Sequence, residues 1–153
     1  GGVIIGAALG GFGGAVRGAQ IGRLGGAAAG LYVKQIQKQF SDKDAQSNKI
    51  ISDLRATNAN LELALQAMNA VVDERRQRAA QSLTDSTRDI RNSDEATTLV
   101  EAARSQQEFF TSTRGLVIQR GLDTQTSGID SELARLRNRV QKLRAVSQDL
   151  SKI

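Results

Sequence analysis

No cysteine, histidine or proline occurs in this sequence, and aromatic side chains make up only 3% of it. Each absence removes something. Without cysteine there are no disulfides and no thiol nucleophile, and without histidine the usual zinc sites and the commonest general base are lost. Without proline, nothing beyond the N-terminal stretch forbids long helices. With so few aromatics, large core-filling side chains are scarce for a chain of 153 residues. The expectation is an elongated, all-α protein with thin, seam-like cores, no catalytic residues, no metal site and no cofactor. The chain opens at Gly1 without a methionine, and a processed or incomplete N-terminus is expected.

What the sequence does have is glycine in strict step. In GGVIIGAALGGFGGAVRGAQIGRLGGAAAG, glycine recurs every fourth residue at Gly2, Gly6, Gly10, Gly14, Gly18, Gly22, Gly26 and Gly30. A step of four carries a helix about 40° past a full turn, so neighbouring glycines share a face that creeps slowly around the axis. In water each glycine costs about 1 kcal/mol of helix propensity against alanine. In a bilayer the backbone must bond internally, and bare backbone lets a second helix approach closely. The ladder therefore reads as a lipid-embedded helix-packing zipper. A flexible linker has no reason to hold phase, and a phosphate loop would end in GK[ST].

Two geometries fit the ladder. In a hairpin, helices over 2–16 and 21–38 flank a polar turn near RGAQIGR. The uncharged stretch of each arm, VIIGAALGGFGGAV and LGGAAAGLYV, is then about 22 Å long or less, short of a typical ~30 Å hydrocarbon core. As one continuous helix over 2–38, Arg17, Gln20 and Arg23 share an arc of about 120°, with Gly14, Gly18, Gly22, Gly26 and Ala29 opposite. The first geometry makes Arg17, Gln20 and Arg23 interfacial. The second makes them pore-lining in a closed ring. Tyr32, Lys34 and Lys38 follow the apolar stretch as a membrane-interface anchor.

Charge supports the same division. Of the net charge of +5, residues 1–40 contribute +4, from Arg17, Arg23, Lys34 and Lys38 with no acid, while 41–153 carry 17 basic and 16 acidic residues. Positive charge beside an apolar segment suits an anionic lipid surface and not a nucleic-acid domain. Four segments result: a membrane-associated ladder over 1–38, a heptad-patterned helix over 39–92, a helix with a Gly/Ser/Thr-rich connection over 93–128, and a coiled-coil helix over 129–153.

The middle seam steps by four and three through Ile50, Leu54, Thr57, Leu61, Ala64, Met68 and Val71, broadened by Leu65 and Val72. A capping box from Ser41 to Asp44 would start a new helix after Phe40; without it, one helix runs unbroken from the glycines. The stretch SLTDSTRDIRNS, 82–93, predicts a bend, with Asn92 and Glu95 capping the next helix. That helix is expected to weaken near Gly115, leaving RGLVIQRGLDTQTSG as loop, short strand or frayed helix. The last seam runs through Ile129, Leu133, Leu136, Val140, Leu143, Ser147 and Leu150, extended by Ile153. It is expected to pack antiparallel on 48–83 or on another copy. Arg135, Arg137, Arg139, Lys142 and Arg144 read as a solvated flank, because no aromatic platform for nucleic acid accompanies them.

The ladder running into VKQIQKQF resembles the glycine-zipper proteins of Gram-negative envelopes, such as the 17-kDa surface antigen and YMGG-like types. The resemblance covers about the first 35 residues. It implies outer-membrane association, helical hairpin insertion and self-assembly. The lipid-modified cysteine of many members is missing here, and the rest of the chain reads as coiled coil.

Two functions are expected to compete. One is a non-enzymatic, self-assembling structural protein of the bacterial cell envelope, with other envelope proteins as partners. The other is a pore- or channel-forming translocation component, secreted and membrane-inserting, of the secretion, toxin or phage-ejection kind. Exposed helical faces offer no convergent acid–base pair, so an enzyme is not expected.

Overall fold

Polar caps and two left-handed residues divide the described residues into four helices: α1 (Gly25–Gln39), α2 (Lys43–Ala80), α3 (Ser86–Gln119) and α4 (Thr126–Ser151). The computed structural model describes residues 25–83, 85–122, 124 and 126–153. Six rungs of the ladder, Gly2, Gly6, Gly10, Gly14, Gly18 and Gly22, lie outside the described residues, as do Arg17, Gln20 and Arg23. Among the described residues there is no strand. No helix among them is long and apolar enough to cross a membrane.

The helix starts are set by aspartates. Asp42 is extended, and its Oδ2 accepts the Ala45 N–H at 3.3 Å, satisfying one of the orphan donors of α2. The expected box from Ser41 to Asp44 is thus corrected to a cap one residue later. Asp85 does the same for α3, its Oδ1 accepting the Arg88 N–H at 3.2 Å. Asn92, expected to cap that helix, is instead buried within it. The bend expected over 82–93 is confined to its first residues.

Both long helices end in the same way. After α2, Ser82 adopts φ 57° and the Leu83 N–H reaches back to the Arg78 carbonyl at 2.8 Å. After α3, Gly121 adopts φ 66° and the Leu122 N–H reaches the Val117 carbonyl at 2.8 Å. This six-to-one closure reverses the chain while satisfying terminal carbonyls. Glycine reaches that conformation without strain; serine does not. The α3 helix passes through Gly115 unbroken and α4 begins at Thr126, so only 120–125 of the 114–128 stretch lies between helices.

Side-chain pairs give the directions. Arg78 meets Asp89 across the first reversal, and Arg114 meets Asp130 across the second. Arg55 meets Glu132 and Glu62 meets Arg139, so α4 runs parallel to α2 and packs on it most extensively. The antiparallel arrangement expected for these two seams is corrected, because two reversals intervene between them. Tyr32 meets Phe109 and Gln37 meets Arg120, so α1 runs parallel to α3, its main partner.

The core follows the four-and-three spacing. Ile50, Leu54, Leu61 and Met68 of α2 and Ile129, Leu133, Leu136, Val140, Leu143 and Leu150 of α4 are all buried. Ala29, Val33 and Ile36 form the inner face of α1. In α3 the buried positions Asn92, Ala96, Leu99, Ala103, Gln106, Phe110, Thr113 and Val117 step by four and three without interruption. Small and polar side chains make up most of that seam.

Candidate functional site

The place where the glycine ladder joins the bundle is α1, and its two faces differ. Ala29, Val33 and Ile36 recur at helical spacing and are buried against the other helices. At 100° per residue, the line through Gly26, Gly30, Lys34 and Lys38 drifts away from that face. A Cβ placed on Gly30 would meet nothing within 4 Å. Lys34 and Lys38 are exposed, and Leu31 beside them is 67% exposed. The inner face of α1 is therefore used within the chain, while the last rung of the ladder is not.

Tyr32 fixes α1 in its seat. Its hydroxyl donates to Asp53 Oδ2 at 2.6 Å, while Asp53 Oδ1 accepts from Lys49 Nζ at 3.0 Å. The ring lies 5.0 Å from that of Phe109 and 6.2 Å, edge-on, from that of Phe110. Phe109 and Phe110 are themselves perpendicular at 4.9 Å. Such tilted contacts align ring edges with ring faces and add to the area buried. Burial, reinforced by the bond to Asp53, pushes the Tyr32 hydroxyl far above its ordinary value of 10.0. Tyr32, expected as a membrane-interface anchor, is thus engaged by α2 and α3 inside the bundle.

The turn between α1 and α2 is held by polar contacts. Gln46 Nε2 donates to the Phe40 carbonyl at 2.6 Å, and Arg120 Nη1 donates to Gln37 Oε1 at 3.2 Å. Ser47 Oγ donates to the Leu122 carbonyl at 2.9 Å, joining α2 to the α3–α4 connection. The two connections therefore lie together at one end of the bundle.

Two further polar groups set the register. Glu132 is only 4% exposed, and Asn58 Nδ2 donates both to its backbone oxygen at 2.9 Å and to Oε2 at 3.0 Å. Arg135 and Arg55 reach its other oxygen from the solvent side, at 3.1 and 3.4 Å. A buried polar pair of this kind tolerates one alignment of two seams and penalises others. At the opposite end, Arg78 contacts Asp89 at 2.6 Å and Glu74 at 3.2 Å, and Arg88 contacts Glu74 at 2.7 Å. The Arg78 hydrogen bond holds the Asp89 carboxyl below its ordinary 3.8. That pair therefore contributes fully above pH 3.8, and its contribution is lost as pH falls through the lowered value.

Sequence reasoning missed Asp53, Asn58, Glu132 and the two phenylalanines as partners. Doublet Phe109–Phe110 within a polar helix was the available signal. Between α3 and α4 lies an open hollow of about 300 Å³ lined by Gln107, Glu108, Thr111, Ser112 and Arg137. Among the described residues no group of three or more carboxylates could hold a metal ion. Comparison with protein-family models, curated proteins and solved structures finds no match.

Proposed function

We propose that the protein is a non-enzymatic structural component of a bacterial cell envelope, in which the glycine ladder enters a membrane and self-assembles while the helical bundle projects from it. The single observation behind this reading is the two-faced seat of α1. Its apolar side is satisfied by the bundle, and its last glycine rung points into open space. A ladder spent on intrachain packing would have no capacity left for another helix. An open rung at Gly30 can meet a like surface, where bare backbone allows close contact. The exposed Lys34 and Lys38 extend the same line and suit an anionic lipid headgroup layer. The outer membrane is the compartment this reading favours, with homo-oligomers and other envelope proteins as partners.

Gly14→Leu and Gly18→Leu test the assembly. Each places a large side chain on the ladder and should break oligomers in detergent, read by native electrophoresis and light scattering. Unchanged oligomers in both variants would overturn the reading. Flotation with vesicles rich in anionic lipid tests the membrane half, and a protein that stays at the bottom of the gradient would defeat it. In the channel reading, planar bilayers would show conductance whose ion selectivity changes in Arg17→Gln/Arg23→Gln.

A further inference from the structure

We propose that α1 exchanges between two copies of the chain, by a hinge at 40–42 that straightens and fuses α1 to α2 into one helix. The key observation is phase. The inner positions of α1 are Ala29, Val33 and Ile36, continued by the half-buried Phe40, and those of α2 begin Gln46, Ser47, Ile50, Ile51, Leu54 and Thr57, among which Ser47, Ile50, Leu54 and Thr57 keep the four-and-three step. Between Phe40 and Ser47 the same alternation passes through Lys43, which is exposed in the closed fold. The four-and-three step thus runs unbroken through a turn where the chain reverses direction. A reversal imposes no such phase, because the two helices meet their partners independently. A single continuous helix does impose it, since only an unbroken heptad keeps one seam on one side.

The hinge is chemically ready to straighten. Phe40-Ser41-Asp42 contains neither glycine nor proline. In a fused helix each N–H bonds the carbonyl four residues back. Two of those bonds already exist, Phe40 N–H to the Ile36 carbonyl and Gln46 N–H to the Asp42 carbonyl, both at 3.0 Å. The Phe40 carbonyl, which the Asp44 N–H would take, is held by the side chain of Gln46 at 2.6 Å. That side chain is 5% exposed, and its Oε1 is buried without a hydrogen-bond partner. The closed turn therefore depends on a side-chain hydrogen bond to the Phe40 carbonyl that a fused helix replaces with a backbone one.

The exchange also closes on itself. Within one chain α1 runs toward the hinge end of the bundle. Once straightened, it projects beyond that end and points back toward its own α2. A second copy placed hinge end to hinge end, related by a twofold axis, presents its vacated α1 seat in that orientation. Each α1 then lies on the other copy's α3, and the contacts of Tyr32 with Asp53, Phe109 and Phe110 re-form between chains. Every contact of the seat is reused, so the dimer needs no new surface.

This inference does not need a membrane, and it is separable from ladder assembly. The chain has no native cysteine. Full-length copies carrying Gln37→Cys are unfolded and refolded in detergent with copies carrying Arg120→Cys, then treated with a short bismaleimide. Exchange yields a cross-linked heterodimer joined through positions 37 and 120. Asp42→Ala, which removes the cap of the closed turn, should raise its yield several-fold. Ser41→Pro, which cannot enter a continuous helix, should abolish it. The doubly substituted chain Gln37→Cys/Arg120→Cys with Ser41→Pro should still cross-link internally, showing that the closed fold survives. No 37–120 heterodimer in any mixture, even for Asp42→Ala, while the doubly substituted chain still links internally, would overturn the exchange. Oligomers that form without that link would belong to the ladder.

Discussion

Tyr32 donates its hydroxyl to Asp53 Oδ2 at 2.6 Å, tying α1 to α2 across 21 residues of sequence. It is the one tyrosine in the chain, so its ionisation can be followed without any label. Its proton is retained in the folded state well above the ordinary value of 10.0. The stabilisation is full below pH 10.0 and is lost as pH rises from there toward the folded value, because the unfolded chain ionises first. Tyrosinate absorbance should therefore appear only as the helices melt, and the absorbance and helical signals should move together. A midpoint near 10 with helicity intact would show that the hydroxyl is free. Tyr32→Phe should cost roughly 2 kcal/mol, the worth of a hydrogen bond to a charged acceptor.

Ser82 holds a left-handed conformation that its counterpart Gly121 adopts at no steric cost. Ser82→Gly should stabilise the bundle by about 1 kcal/mol, raising the urea midpoint without changing the slope. A lowered midpoint would mean that the Ser82 side chain contributes something the backbone geometry does not reveal.

Asn58 and Glu132 are a coupled pair between α2 and α4. Asn58→Leu leaves a buried carboxylate without its amide donor and should cost roughly 2 kcal/mol. Glu132→Leu should cost less, because Asn58 Nδ2 keeps the backbone oxygen of residue 132. The double substitution should recover most of the loss, since two apolar groups leave nothing unsatisfied. Strictly additive losses in denaturant titrations would show that the two side chains do not interact.

The seams of α2 and α4 were readable because leucine and isoleucine mark them, as at Leu54, Leu61, Leu133 and Leu136. The seam of α3 has the same spacing but is written in Asn92, Ala96, Ala103, Gln106 and Thr113, which carry no apolar signature. Asn92 followed by Glu95 imitates a cap, and only burial reveals otherwise. Gly115 suggested weakness, yet one glycine costs about 1 kcal/mol in a helix. Buried Thr113 and Val117 on either side hold that turn in place. Tyr32 fitted the pattern of an interfacial residue closing an apolar stretch. Its partners Asp53, Phe109 and Phe110 lie far along the chain, where no local rule could connect them. Glu132 sits just before an arginine-rich run that drew attention to its own charges.

Because α1 and α3 share a heading, Gly25 aims at the end of the bundle where α2 turns into α3. There Leu83 is 54% exposed and Ile90 63% exposed, beside the arginines at 75, 78 and 88. The molecule is thus polarised lengthwise, with a greasy crown braced by acid-paired arginines at one pole and the Phe40 elbow at the other. Any surface that receives the ladder along that heading touches the crown first and leaves the elbow free to find a twin.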